Sequence, residues 1–133
     1  MSPTHPSLLV VDDDEDTCLN LADIFTDLGY RVETCLDGPK AVERVRKGCF
    51  DVFLLDLMLP GMDGLALFQR LHELCPQTEA VLITGEPHHA RATESLQSGM
   101  NCMIPKPLDV ASLATVVAKI VRECERLDST YRI

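Results

Sequence analysis

A chain of 133 residues suits one domain with a real core and is too short for two ordinary ones. Charged residues at 25% and hydrophobic ones at 46% sit near globular averages, which argues against disorder, and no apolar run approaches the roughly 20 residues that a membrane helix needs. Twelve basic against twenty-one acidic residues give a formal net charge of -9 with no Lys/Arg cluster, which argues against nucleic acid or a membrane as a direct partner.

The N-terminal segment Met1-Ser2-Pro3-Thr4-His5-Pro6-Ser7 has no basic region leading into an apolar core of secretory length, because the apolar stretch stops at Val11. The expected compartment is the cytoplasm. Leu8-Leu9-Val10-Val11 reads as a buried strand over 8–11, and it ends abruptly in Asp12-Asp13-Asp14-Glu15-Asp16. Cys18, Leu21, Ala22, Phe25 and Leu28 then recur at helical spacing over 16–28, and Gly29 supplies a left-handed stop. A strand over 31–35 precedes a helix over 39–47, in which Pro39 suits the first turn and Gly48 the exit.

The third strand, 52–56, ends in Asp56 and breaks at Leu57-Met58-Leu59-Pro60-Gly61-Met62-Asp63-Gly64, which places Asp56 where a strand meets solvent. A helix over 64–75 carries Leu65, Phe68, Leu71, His72 and Cys75 before Pro76; a strand over 80–84 ends in Thr84-Gly85. A helix over 88–98, a short strand over 102–104 and a helix over 109–126 complete the chain, the last capped by Asp109 and carrying Leu113, Val116, Val117, Ile120, Val121 and Cys124 on one face. Five such alternations indicate a parallel sheet with crossover helices placed successively on its two faces. The loops after the strand C-termini form the binding edge, where Asp12, Asp13, Asp56, Thr84 and Lys106 all fall.

Taken singly, each of these residues has an ordinary explanation. An acidic pair can cap a helix, Asp56 can merely terminate a strand, and Thr-Gly and Lys-Pro are common loop dipeptides. Their joint placement on one sheet edge is what points to a site, since several like charges there invite a divalent cation. The six cysteines (Cys18, Cys35, Cys49, Cys75, Cys102, Cys124) stand singly, without zinc or C-x-x-C spacing, and are expected to be reduced packing residues. His88-His89 reads as a solvated helix start and His72 as a helix-surface residue; no Ser/His/Asp or Cys/His arrangement and no internal repeat is present.

The set Asp12-Asp13, Asp56, Thr84 and Lys106-Pro107, with the Pro-Gly-Met-Asp-Gly turn at 60–64, resembles the receiver domain of two-component response regulators from Leu8 to about Arg126, in the manner of the chemotaxis response regulators. The resemblance implies an α/β, flavodoxin-like (βα)5 doubly wound sandwich with a five-stranded parallel sheet in the order 2-1-3-4-5. It implies one receiver domain over 1–133, with its core at about 7–126, a short tail at 1–6 and an extension at 127–133. Asp56 would be the phosphoacceptor. Mg2+, with Mn2+ as the alternative ion, would be held by Asp13, Asp56 and the backbone carbonyl of Met58, with Asp12 orienting a water; Lys106 and Thr84 would contact the phosphoryl oxygens.

The same resemblance implies a cis bond before Pro107, a role in dephosphorylation for Met58 and Glu86, and a sensor histidine kinase or histidine phosphotransfer protein as partner. Phosphorylation would switch the face of helix four, strand five and helix five, through which a homodimer or a downstream output domain would be addressed. The domain would be no enzyme beyond catalysing its own phosphorylation and dephosphorylation. Met103 stands where receivers often carry an aromatic switch residue, which makes it the candidate switch partner. Two rival readings are a phosphorylation-independent adaptor and an aspartyl-phosphate phosphatase; the second normally requires an aspartate two residues after the nucleophile, where this chain has Met58.

Overall fold

The apolar runs and helix-period segments become, in a computed structural model that describes residues 5–131, five strands and five helices in alternation. In chain order they are β1 (Ser7–Val11), α1 (Glu15–Asp27), β2 (Arg31–Cys35), α2 (Gly38–Val45), β3 (Val52–Asp56), α3 (Gly64–Leu74), β4 (Glu79–Thr84), α4 (Ala90–Gln97), β5 (Cys102–Pro105) and α5 (Val110–Tyr131). All pairings are parallel and the sheet order is β2-β1-β3-β4-β5, as the resemblance implies. No helix among the described residues is long and apolar enough to cross a membrane.

Because successive strand residues point to opposite faces, a near-continuous apolar strand feeds two cores. Leu8, Val10, Val52, Leu54, Val81 and Ile83 pack with Phe25 of α1 and Leu113 and Val117 of α5. Leu9, Val11, Phe53, Leu55 and Leu82 pack with Ala41 of α2, Phe68 and Leu71 of α3 and Ala92 of α4. The helices therefore do not alternate one by one, as expected, but divide into α1 and α5 against α2, α3 and α4. The sheet order explains the division: the chain steps outward from β1 to β2, then back across β1 to β3 and onward, and right-handed crossovers in one direction deposit their helices on one face.

Helix starts are set by aspartates. Asp14, Asp37 and Asp63 each accept a backbone N–H from the first turn of α1, α2 and α3, and Asp109 accepts from Ala111 N–H and the Ser112 hydroxyl ahead of α5. Gly29, at φ +98, ends α1 as its position predicts. Several ends differ from the sequence reading, two of them for a visible reason. α4 starts at Ala90 with His89 as its cap, Nδ1 accepting from Arg91 N–H, and α5 runs on to Tyr131 because neither Gly nor Pro interrupts it after Arg126.

The expectation of six reduced cysteines is corrected. Cys49 and Cys75 are joined in a disulfide, their Cα atoms 5.9 Å apart. A separation of 26 residues hides this closeness in the sequence, yet β3 runs toward the acidic edge and α3 runs back along it, returning Cys75 to the level of Cys49. Cys18, Cys35, Cys102 and Cys124 lie outside that bond, buried or half-buried, and burial pushes the Cys18 thiol up to about 11.

Candidate functional site

β1 and β3 are neighbours at the centre of the sheet, in a register that pairs Val11 with Leu55, so the next residue of each strand, Asp12 and Asp56, arrives at the same edge. Both are carboxylates, and both are buried: Asp12 is 2% exposed and Asp56 6%. Asp56 thus lies beneath the surface, where the strand-end reading had placed it at solvent. Asp13, one residue on, is exposed and turns its carboxylate to the same spot. Oxygens of the three side chains lie within 4.8 Å of one another.

Lys106, entering from the end of β5, answers this concentration of negative charge. Its Nζ donates to Asp12 Oδ2 at 3.0 Å and reaches Asp56 Oδ2 at 3.5 Å. The remaining oxygens take backbone donors, Asp12 Oδ1 from Asp14 N–H at 2.9 Å and Asp56 Oδ1 from Met58 N–H at 3.3 Å. Burial, reinforced by the charge of Asp12, pushes the Asp56 carboxyl up to about 6, although Lys106 and the Met58 N–H pull the other way. For Lys106 burial opposes the charge, but the bond to Asp12 and the charge of Asp56 outweigh it and hold the ammonium above the usual lysine value.

Thr84 closes β4, fully buried, with its hydroxyl accepting Glu86 N–H at 2.9 Å and its carbonyl accepting Lys106 N–H at 2.8 Å. The ends of β4 and β5 are therefore tied by main chain just where Lys106 enters. The Lys106-Pro107 bond is cis. Pro105, which lacks a donor, falls on the edge strand, where that lack is tolerated. Met58 is 53% exposed and Glu86 is exposed at the loop after Thr84, while Met103 on β5 is half-buried against the core under α2, α3 and α4.

The β3–α3 turn is held close. Gly64 N–H donates to Leu57 O at 2.8 Å, and a Cβ on Gly64 would meet Asp56 O at 2.5 Å, so only glycine lets α3 start against the backbone of the acidic residue. Sequence reading misses one feature of this edge. Arg91, in the first turn of α4, grips Asp63 with two nitrogens, Nε to Oδ2 at 2.7 Å and Nη2 to Oδ1 at 3.1 Å, while Nη1 bonds Glu94 at 3.1 Å. The only signal was that the starts of α3 and α4, which carry Asp63 and Arg91, both follow strands that end at the binding edge.

This arrangement, with a buried aspartate among two others and a lysine, matches known proteins along its length. Residues 8–118 match the family described as the response regulator receiver domain. The transcriptional regulatory protein ZraR of Escherichia coli (strain K12) is 30% identical over 129 residues, 97% of this chain and 29% of that protein. Response regulator PleD of Caulobacter vibrioides (strain NA1000 / CB15N) is 35% identical over 118 residues, 86% of this chain and 26% of that protein. The crystal structure of a CheY-like response regulator receiver domain protein from Methanospirillum hungatei JF-1 superimposes with a TM-score of 0.87 at 25% identity, covering 92% of this chain and 98% of that one. The chain spans less than a third of the length of these curated relatives. The matched residues contain all five strands but for Ser7 at the start of β1, and all of the acidic edge, and the chain belongs to the family of response regulator receiver domains.

Proposed function

We propose that Asp56 accepts a phosphoryl group from a histidine kinase or a histidine phosphotransfer protein, in a reaction dependent on Mg2+ or, in its place, Mn2+. The observation that carries this reading is the burial of Asp56 with a lysine ammonium 3.5 Å from one of its oxygens and two further carboxylates around it. An all-oxygen set of three carboxylates suits a hard divalent cation. Asp12, Asp13 and Asp56 would hold it, with the Met58 carbonyl added on the family pattern, and when bound the ion supplies positive charge beside the phosphoryl oxygens.

The chain's own residues do the rest. A carboxylate oxygen of Asp56 forms the new bond to phosphorus as the bond from phosphorus to the donor imidazole breaks, and the negative charge of the transition state spreads over the equatorial oxygens. Lys106 carries an ammonium to that place and keeps it charged. The Thr84 hydroxyl already accepts Glu86 N–H, so its hydrogen is left to donate to a phosphoryl oxygen. That movement, passed to β5 through the bond from Lys106 N–H to Thr84 O, would shift the face of α4, β5 and α5 between two populations. This face would then dock a second copy of the chain or a downstream output domain. We place the domain in the cytoplasm, with the kinase.

Incubation of the full chain with acetyl phosphate and Mg2+ should add one phosphoryl mass, abolished by Asp56→Asn and by chelation of the ion. Equal uptake by Asp56→Asn, or uptake indifferent to chelation, would overturn the assignment, and no uptake by the parent would favour a phosphorylation-independent receiver-like adaptor.

A further inference from the structure

We propose that Cys49–Cys75 is a thiol–disulfide exchange site, opened by an external dithiol and closed by an external disulfide, that sets the stability of the unit carrying Asp56. The bond closes a loop made of β3, the acidic turn and α3. At one end of that loop Gly64 is packed on the Asp56 backbone; at the other the disulfide fastens the end of α3 to the residues before β3. Nothing in this proposal depends on phosphorylation, so it and the preceding reading fail separately.

Two observations point to exchange and not to a bond sealed in the core. The first is asymmetry: Cys49 is exposed while Cys75 is buried beside Leu71 and Phe68 in the core under α3. An external thiolate therefore reaches the Cys49 sulfur and not its partner. The second is that the two cysteines are held together by contacts that do not use sulfur. The Thr78 hydroxyl donates to Phe50 O at 2.6 Å and Thr78 N–H to Cys75 O at 3.2 Å, which ties the chain just after Cys75 to the chain just after Cys49. Reduction leaves these bonds in place, so the two thiols stay neighbours and the disulfide can form again.

The chemistry balances with a dithiol as reductant. Its first thiolate bonds to Cys49 Sγ as the Cys49–Cys75 bond breaks, and the electron pair leaves on Cys75 Sγ, which takes a proton. Its second thiolate then attacks its own sulfur of the mixed disulfide and expels Cys49 as a thiolate, which is also protonated. The protein gains two hydrogens and the dithiol becomes a cyclic disulfide. In the reverse direction a disulfide oxidant such as oxidised glutathione accepts the same two electrons.

The test is to equilibrate the full chain in mixtures of reduced and oxidised dithiothreitol, quench by alkylation under denaturing conditions and map the cysteines. Cys49 and Cys75 should change state together, while Cys18, Cys35, Cys102 and Cys124 are alkylated at every ratio. Reduction should shift the unfolding equilibrium toward the unfolded chain by roughly 30- to 1,000-fold, the range of native disulfides, and Cys49→Ser should erase the difference between oxidising and reducing conditions. Folded Cys75→Ala should form an adduct with oxidised glutathione at Cys49, and folded Cys49→Ser none at Cys75. A pair that stays reduced in the most oxidising mixture, a bond in the folded protein untouched by excess dithiothreitol, or equal adduct formation at both positions would each overturn the proposal.

Discussion

Asp56, the proposed phosphoacceptor, is also a burden on the fold. Its folded-state value of about 6 lies above the ordinary 3.8, so the folded chain holds the proton more tightly than the unfolded chain and the ionised carboxylate opposes folding. The burden is absent below about pH 4, grows as pH rises toward 6 and is fully present at pH 7. Without metal, Asp56→Asn should therefore be more stable than the parent at pH 7, on the order of 1 kcal/mol, with the gain gone near pH 4 and reduced at pH 7 by added Mg2+. Urea unfolding in chelator at the two pH values checks this; a variant weaker at both would make Asp56 chiefly a partner for Met58 N–H. Asp12, Asp13, Asp56, Thr84 and Lys106 were legible in the sequence because each follows an apolar run that ends at one edge. The burial of Asp56 was not, since it depends on which loops close over the edge. Met58 illustrates a different point: it is half-exposed there and its side chain has no strong hydrogen-bonding group to orient an attacking water. Met58→Asn should accelerate loss of the phosphoryl group, measured as decay of the labelled protein after the donor is removed, and an unchanged rate would take Met58 out of the reaction.

The helices were legible because their apolar spacing, aspartate caps and glycine stops agree, and agreement of local signals is what makes a boundary readable. What the sequence hid are contacts between elements. The disulfide joins residues on either side of a strand–turn–helix excursion, and the grip of Arg91 on Asp63 spans the starts of α4 and α3, whose proximity follows only from the strand order. Asp63 serves two elements at once, capping α3 through Ala66 N–H and anchoring α4 through Arg91, whose bond holds the carboxyl below the usual carboxylate range. A depressed value means that the contribution is present at neutral pH and lost as pH falls through the acid range. Asp63→Ala should accordingly cost about 1 kcal/mol for the cap alone and more with the ion pair, whereas Asp63→Asn keeps the cap acceptor and Arg91→Ala leaves the cap intact. Thermal unfolding of the three variants should rank Asp63→Ala as the least stable. If Arg91→Ala is as damaging as Asp63→Ala, the ion pair and not the cap dominates this junction.

A signal arising at Asp56 on phosphorylation would have a short path across the sheet. Leu57 N–H donates to Ile83 O, Thr84 O accepts Lys106 N–H, and Met103 lies opposite Leu82 in the β4–β5 register, on the face that packs α2, α3 and α4. In receivers with an aromatic residue at this position, a rigid ring can fill the space left when the hydroxyl moves; Met103 is flexible, fits irregular gaps and specifies one rotamer weakly. The output face should therefore respond in a graded way. Binding of beryllofluoride with Mg2+ at Asp56, as a phosphoryl mimic, should shift the Met103 methyl resonance, and Thr84→Ala should abolish that shift while leaving Mg2+ affinity nearly unchanged, because Thr84 is not among the carboxylate ligands. Met103→Tyr, which restores an aromatic ring, should sharpen the response into two exchanging populations. A Met103 methyl indifferent to the mimic, with clear shifts in α4, would reject this path and leave the Thr84–His89 loop and α4, which Arg91 joins to the start of α3 at Asp63, as the route by which the site moves the surface.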